Sequence, residues 1–258
     1  RACCLNERKR VSKMYQQIEG KKYKIDCKLW SPEKVSRIII AVHGFAGDKE
    51  SGAIASLAEE MVKKDTLVVA LDLPGHGTSE VDGDALTLEN CLNDITSVEE
   101  YYHEQYKDAK LSYFATSFGA YLVLLKLIRK PQKYDKIVLR CPALKMDKIF
   151  VHAILREPME EFKKRGYTIV GYERELKVNY TFYEELENTQ IFELFQKDEN
   201  EILIIHGDKD DTAPIEDSYA FQAKYQTAMK VVKGADHRFK KEGELEQVIA
   251  YAEQFYEN

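Results

Sequence analysis

The sequence has no long hydrophobic run. No window approaches ~18 consecutive apolar residues, so no membrane-spanning helix is expected. It has no CxxC pair. Its five cysteines, Cys3, Cys4, Cys27, Cys91 and Cys141, are odd in number and, after the first two, widely spaced. That pattern argues against a disulfide framework or a zinc site and for free thiols. The adjacent Cys3 and Cys4 allow lipidation or metal binding, but a disordered terminus is the simpler reading. Basic charge is not in excess: 38 Lys and Arg stand against 44 Asp and Glu, a formal net charge of −6, with the basic residues spread along the chain. Nucleic acid is therefore not an expected partner. Residues 1–10 are polar and basic and lack the apolar run of a secretory signal, so a cytoplasmic protein is expected. There is no internal repeat and no low-complexity segment. What remains is 258 residues, 44% of them hydrophobic, enough for one α/β domain with or without an insertion.

Periodicity divides the chain. Residues 14–19 and 22–30 read as a hairpin. Its second arm alternates Tyr23, Ile25, Cys27 and Leu29 with polar residues, as a half-exposed antiparallel pair at a sheet edge does. Residues 37–42, 66–71, 111–114, 136–140, 201–205 and 228–233 read as further strands, several of them continuous apolar runs of the kind buried on both faces. Amphipathic helices are expected over 51–64, 87–106, 121–130, 216–225 and 242–256. This alternation predicts an α/β fold with a mostly parallel central sheet and helices on both faces. Ligands of such sheets bind beyond the carboxyl ends of the strands. The turns at His43, Asp72, Ser117, Asp208–Asp211 and His237 all follow strands and should gather at one edge.

The rhythm breaks between residues 145 and 195. Short helices are expected over 149–156 and 159–164, and a small hairpin around Gly171. Tyr167, Tyr172, Tyr180, Phe182 and Tyr183 crowd this stretch. A structureless loop of this length is improbable. The expected organisation is therefore a core of residues 1–144 and 196–258 with an inserted cap or lid at 145–195. The crowded aromatics either stack on a substrate or form the small core of the cap.

Ser117 lies where an apolar strand turns into a helix, as Ala115-x-Ser117-x-Gly119. At such a corner the hydroxyl is pushed out above the sheet, and the next amide sits at a helix N-terminus, where orphan N–H groups hold anions. Alone, the pattern also fits a helix cap. It resembles the nucleophile elbow of α/β-hydrolases, with Ala115 in the first glycine position. Four further motifs accompany it in order: His43-Gly44-Phe45, Asp72-x-Pro74-Gly75-His76-Gly77-x-Ser79, His206-Gly207-x-x-Asp210-x-x-x-Pro214 and Gly234-Ala235-x-His237. Together they resemble an α/β-hydrolase-fold serine hydrolase. The similarity is strongest to the bacterial esterase and lipase-like branch, which includes feruloyl and cinnamoyl esterases and monoacylglycerol lipases.

The resemblance implies a Ser-His-Asp triad of Ser117, His237 and Asp210, with Asp208 and Asp211 as rivals for the acid. It implies an oxyanion hole made by the amides of Phe45 and Phe118. His43 then shapes the oxyanion loop, His76 belongs to a structural turn, and His206 is a hydrogen-bonded core residue. No metal or organic cofactor is needed. The expected activity is hydrolysis of a small carboxylic ester, aromatic or acyl, through an acyl-enzyme. An amidase, peptidase or thioesterase would use the same triad, and a peptidase would need an acidic anchor such as Glu173, Glu175 or Glu184. A non-catalytic binding protein on the same scaffold is the alternative from another class. A serine nucleophile excludes a dehalogenase. Edge strands and an aromatic cap leave room for a homodimer.

Overall fold

Five apolar residues in a row, Ile38 to Val42, are completely buried in β3 (Arg37–Val42). Successive side chains of a strand point to opposite faces, so this is possible only with a layer on each side. Ile38, Ile40 and Val42 pack into one apolar cluster, and Ile39 and Ala41 into the other. β4 (Thr66–Leu71), β5 (Lys110–Thr116), β6 (Ile137–Arg140) and β9 (Ile202–Gly207) are inner strands for the same reason. A fully buried side chain of this size contributes about 1.5–3 kcal/mol. β1 (Ser12–Glu19) and β2 (Lys24–Ser31) form the expected antiparallel hairpin at one edge, and β10 (Ala228–Val232) closes the other. The computed structural model describes residues 12–171 and 174–258. Cys3, Cys4, Tyr172 and Glu173 lie outside the described residues.

The eight strands run in the order β1-β2-β4-β3-β5-β6-β9-β10. From β4 to β10 every neighbouring pair is parallel, and only the β1–β2 and β2–β4 pairs are antiparallel. α1 (Gly52–Met61) and α9 (Glu244–Glu257) cover one face through Ile54, Leu57, Val248 and Ala252. α2 (Leu88–Gln105), α3 (Phe118–Arg129) and α8 (Ile215–Tyr225) cover the other through Cys91, Ile95, Leu122 and Phe221. This is the expected mostly parallel sheet with helices on both faces. Because β4 and β5 flank β3, the chain winds outward in opposite directions from it. The crevice of such a sheet opens at that reversal, beyond the ends of β3 and β5.

Between β6 and β9 the chain leaves the sheet. It forms α4 (Met146–Ile149), a π-helical turn (Phe150–Ile154), α5 (Met159–Arg165), the hairpin of β7 (Tyr167–Val170) and β8 (Leu176–Asn179), α6 (Tyr180–Glu187) and α7 (Ile191–Leu194). The helix expected over 149–156 starts earlier and ends as the π turn. α6 and α7 were not expected: Tyr, Thr and Phe favour strands by propensity, and here packing overrides it. The aromatics of this segment are inward. Phe150, Phe162, Phe182 and Val178 join the same apolar cluster as α2 and α3. Among the described residues, no helix is long and apolar enough to cross a membrane. Cys27, Cys91 and Cys141 are free and buried.

Candidate active site

Ser117 stands between the last residue of β5 and the first of α3, with φ 51° and ψ −113°. A non-glycine residue held at positive φ costs of order 1–3 kcal/mol and persists only where its surroundings fix it. Here its N–H donates to Arg140 O at 2.9 Å, and its carbonyl accepts from Tyr121 N at 3.1 Å and Ala143 N at 3.2 Å. The corner is tight. A Cβ on Gly119 would lie 2.4 Å from Val42 O and 2.5 Å from His43 O, so the helix can approach β3 only with glycine there. Ala115 is completely buried in β5 without displacing the turn.

The Ser117 Oγ lies 3.1 Å from His237 Nε2, and His237 Nδ1 lies 2.6 Å from Asp210 Oδ2. The carboxylate fixes the tautomer: Nδ1 carries the proton, and Nε2 presents its lone pair to the serine hydroxyl. Of the three clustered acids only Asp210 reaches His237. Asp208 Oδ1 accepts from Gly234 N at 2.5 Å and ties two strand-end loops together, while Asp211 accepts from Thr212 Oγ1 at 3.3 Å.

Asp210 is fully buried in its side chain. Its Oδ1 accepts from the amides of Thr212 and Ala213 at 2.9 and 2.8 Å, and its Oδ2 accepts from both His237 and His206. Burial alone would raise its pKa. The hydrogen bonds from His206 and His237, the His237 charge and the Ala213 amide outweigh burial and hold the carboxyl well below the usual range. His206 is more than a core residue. Its Nε2–H faces Asp210 Oδ2 at 3.1 Å and Ala213 O at 2.9 Å, and its Nδ1 accepts from Ser218 Oγ at 2.8 Å. The i, i+4 spacing of His206 and Asp210 was the available signal for this second grip. Cys141, His206 and Asp210 place three metal-donor atoms within 4.8 Å of one another. The carboxylate oxygens already accept four hydrogen bonds, however, so the group is built as a hydrogen-bonded support.

The loop after β3 is fixed by His43. The completely buried ring donates from Nδ1 to Gly44 O at 2.7 Å and accepts at Nε2 from Leu73 N at 3.1 Å. Burial lowers its pKa, more than its bond to Gly44 and the nearby Asp72 raise it, so the ring is neutral. Gly47 N also donates to Gly44 O, at 3.0 Å. In a trans peptide the N–H points opposite to the C=O. Pinning Gly44 O thus aims the Phe45 N–H the other way. A Cβ on Gly44 would lie 3.3 Å from Ser117 Cβ, which places this peptide against the serine. Phe118 is the first residue of α3, so its N–H has no acceptor within the helix. His76 donates from Nδ1 to Pro74 O at 2.8 Å, and burial pushes its pKa down to about 3.

A cleft of about 1580 Å³ opens over Ser117 and His237. Its walls include Met146, Ile149, Ile154, Ile169, Val170 and Leu176. Of the crowded aromatics, Tyr180 and Tyr183 pack among Phe150 and Phe162, and Phe182 packs on Phe45 and Phe118, rather than along the cleft. Arg174 was not singled out in the sequence. Its Nη1 donates to the carbonyls of His76, Gly77 and Ser79, and its Nη2 to that of Val81, all at 2.9–3.1 Å, which seats β7–β8 on the turn after β4.

The reversal of strand order at β3, the strained serine after β5 and the histidine after the last strand define an α/β-hydrolase fold. Residues 33–171, more than half of the chain, match the family described as serine aminopeptidase, S33, and the chain belongs to this family of hydrolases. No curated protein matches the chain significantly. Among solved structures it is similar to Est1E from Butyrivibrio proteoclasticus with ferulic acid bound, at 20% identity and a TM-score of 0.82, over 93% of this chain and 97% of that one. It is similar to alpha/beta hydrolase domain-containing protein 10 from mouse, at 18% identity and a TM-score of 0.74, over 95% and 98%. The esterase domain of a Rhodothermus marinus protein matches at 17% identity and a TM-score of 0.70, over 95% and 100%.

Proposed function

We propose that the protein is a serine hydrolase of carboxylic esters. The observation that carries this reading is the continuous chain from Ser117 Oγ through His237 to Asp210, with contacts of 3.1 and 2.6 Å. Ser117 attacks the ester carbonyl while His237 Nε2 takes its proton. The tetrahedral oxyanion accepts from the amides of Phe45 and Phe118, each such donor being worth ~3 kcal/mol of transition-state stabilisation. His237 returns the proton to the departing alcohol. Water, deprotonated by His237, then attacks the acyl-enzyme, and the acid leaves as Ser117 regains its proton. Asp210 keeps the imidazole in the required tautomer and stabilises its cation. Residues 145–195 act as a cap that supplies the aliphatic wall, which favours an acyl chain over a stacked aromatic ring.

The test is a panel of short and long p-nitrophenyl esters, methyl ferulate and an aminoacyl anilide, run with the parent and with Ser117→Ala. Ester turnover is expected, with a loss of at least ~10³-fold in the variant. If no ester is turned over and a fluorophosphonate leaves the protein unlabelled, the reading fails. A second reading, aminopeptidase activity, is supported by the family's description and by Glu175, which lines the cleft and would be the acid to receive a substrate amine. Glu184 does not line it, and Glu173 lies outside the described residues. Faster turnover of the anilide than of any ester would select that reading.

A further inference from the structure

Arg140 ends β6, in register with Thr116 of β5 and Ile205 of β9. Its backbone is part of the sheet, so its side chain emerges at the floor of the crevice, and it is only 9% exposed. The guanidinium lies 4.8 Å from the ring centre of Phe239, and Nη2 donates to His237 O at 3.1 Å. Nε is buried without a hydrogen-bond partner. Guanidinium has five N–H donors, and among the described residues one acceptor is in place. No carboxylate of the described residues lies within ion-pair distance of it. The acids whose charge reaches it are Asp210 and Asp236. The first is saturated by four donors, and the second accepts from Arg238 N at 2.9 Å.

A buried cation without a counter-ion is costly and is seldom kept without a use. The other cations of the cleft make the contrast clear. Lys49 is paired with Asp72 at 2.6 Å, and Arg174 spends its donors on four carbonyls. Arg140 instead lines the same cleft as Ser117 and His237, and the exposed Arg156 and Arg238 line it too. The carboxylates Asp26, Asp48 and Glu50, on β2 and the loop after β3, line the cleft as well, as does Glu175 just before β8.

We propose that the cleft wall beside His237 is an anion subsite, centred on Arg140 with Arg238 at its rim, that takes a carboxylate or phosphate carried by the ester substrate. The planar fork of Arg140 matches such groups in geometry as well as charge. This rests on the ester-hydrolase reading and names the substrate class for it: esters whose acid or alcohol half bears a negative charge a few bonds from the scissile carbonyl.

The experiment compares charged and neutral partners. In one arm p-nitrophenyl hemiglutarate is set against p-nitrophenyl pentanoate. In the other, the butyrate ester of 4-hydroxybenzoate is set against phenyl butyrate. The charged member of one pair is expected to show a kcat/KM at least ~10-fold higher, carried by KM and eroded by added salt. The arm that shows it tells which half of the substrate is charged. Arg140→Gln should abolish the ratio, and Arg238→Gln should reduce it severalfold. Glutarate and inorganic phosphate are titrated as competitive inhibitors of the parent, and the stronger one identifies the preferred anion. If Arg140→Gln does not fold, the Arg238 variant and the inhibition decide. Turnover of neutral esters with no charged preference in either arm and no inhibition by either anion overturns the subsite. Absence of turnover on all four esters would instead sink the ester reading itself.

Discussion

Asp94, on α2, is 3% exposed and faces Tyr23, whose hydroxyl donates to its Oδ2 at 3.0 Å. Burial raises its pKa to about 7, and the Tyr23 bond and the Lys22 charge only partly oppose this. An unfolded chain releases the same proton near ~3.9. The favourable contribution is therefore full below that value and is lost as pH rises through about 7. Asp94→Asn is expected to raise the unfolding free energy by about 2–4 kcal/mol at pH 8 and to change little at pH 4, measured by urea denaturation. Asp210 has the opposite sign. Its lowered pKa gives stability that is present above ~3.9 and lost as pH falls below it, so Asp210→Asn should lose less stability than the parent between pH 7 and pH 3. At this scale the sequence was readable where a residue had a fixed place in a motif. Ser117, Asp210 and His237 meet in space, and Gly119 is where backbone contact demands it. Arg140 and Arg174 carried no local signal, because their partners lie about a hundred residues away in the chain.

Among the elements, the strands were legible because burial on both faces leaves only apolar residues to choose from, as in β3 and β4. The 145–195 segment was legible only as an interruption. Its helices are too short to hold themselves and exist through packing against the sheet's helices. Two close contacts help seat its hairpin on the rest of the chain. Arg174 closes four carbonyls of the turn after β4, and a Cβ on Gly83 would fall 1.8 Å from Lys177 O of β8. Arg174→Ala and Gly83→Ala should both loosen the hairpin. The expected cost is about 2–4 kcal/mol for Arg174→Ala, with faster proteolytic cleavage between residues 165 and 180 in both variants.

Across the whole molecule, one buried polar chain joins the two helical layers through the sheet. Tyr256 of α9 donates to Tyr113 O at 2.6 Å. The Tyr113 hydroxyl passes to the opposite face and donates to Glu99 of α2, which also accepts from Tyr134 at 3.0 Å and pairs with Lys126 of α3 at 3.0 Å. Both charged side chains are almost fully buried. Breaking one partner of such a pair leaves a bare charge in the core. Lys126→Met alone is expected to cost about 3–5 kcal/mol, and adding Glu99→Gln should restore most of it, a coupling that a double-mutant cycle reads directly.

Phe45 packs against Phe118, Phe150 and Phe182 with ring centres 5.5–6.2 Å apart. Phe150 and Phe182 belong to the 145–195 segment and Phe45 to the loop after β3, so neither part can swing away without stripping the other. A hydrolase held together this way is expected to lack a shutter for an oil–water boundary to lift. With a sparingly soluble ester such as tributyrin, its rate should climb smoothly and level off, without a jump as droplets form. A sharp rise at the solubility limit would mean that the aromatic contact opens during turnover.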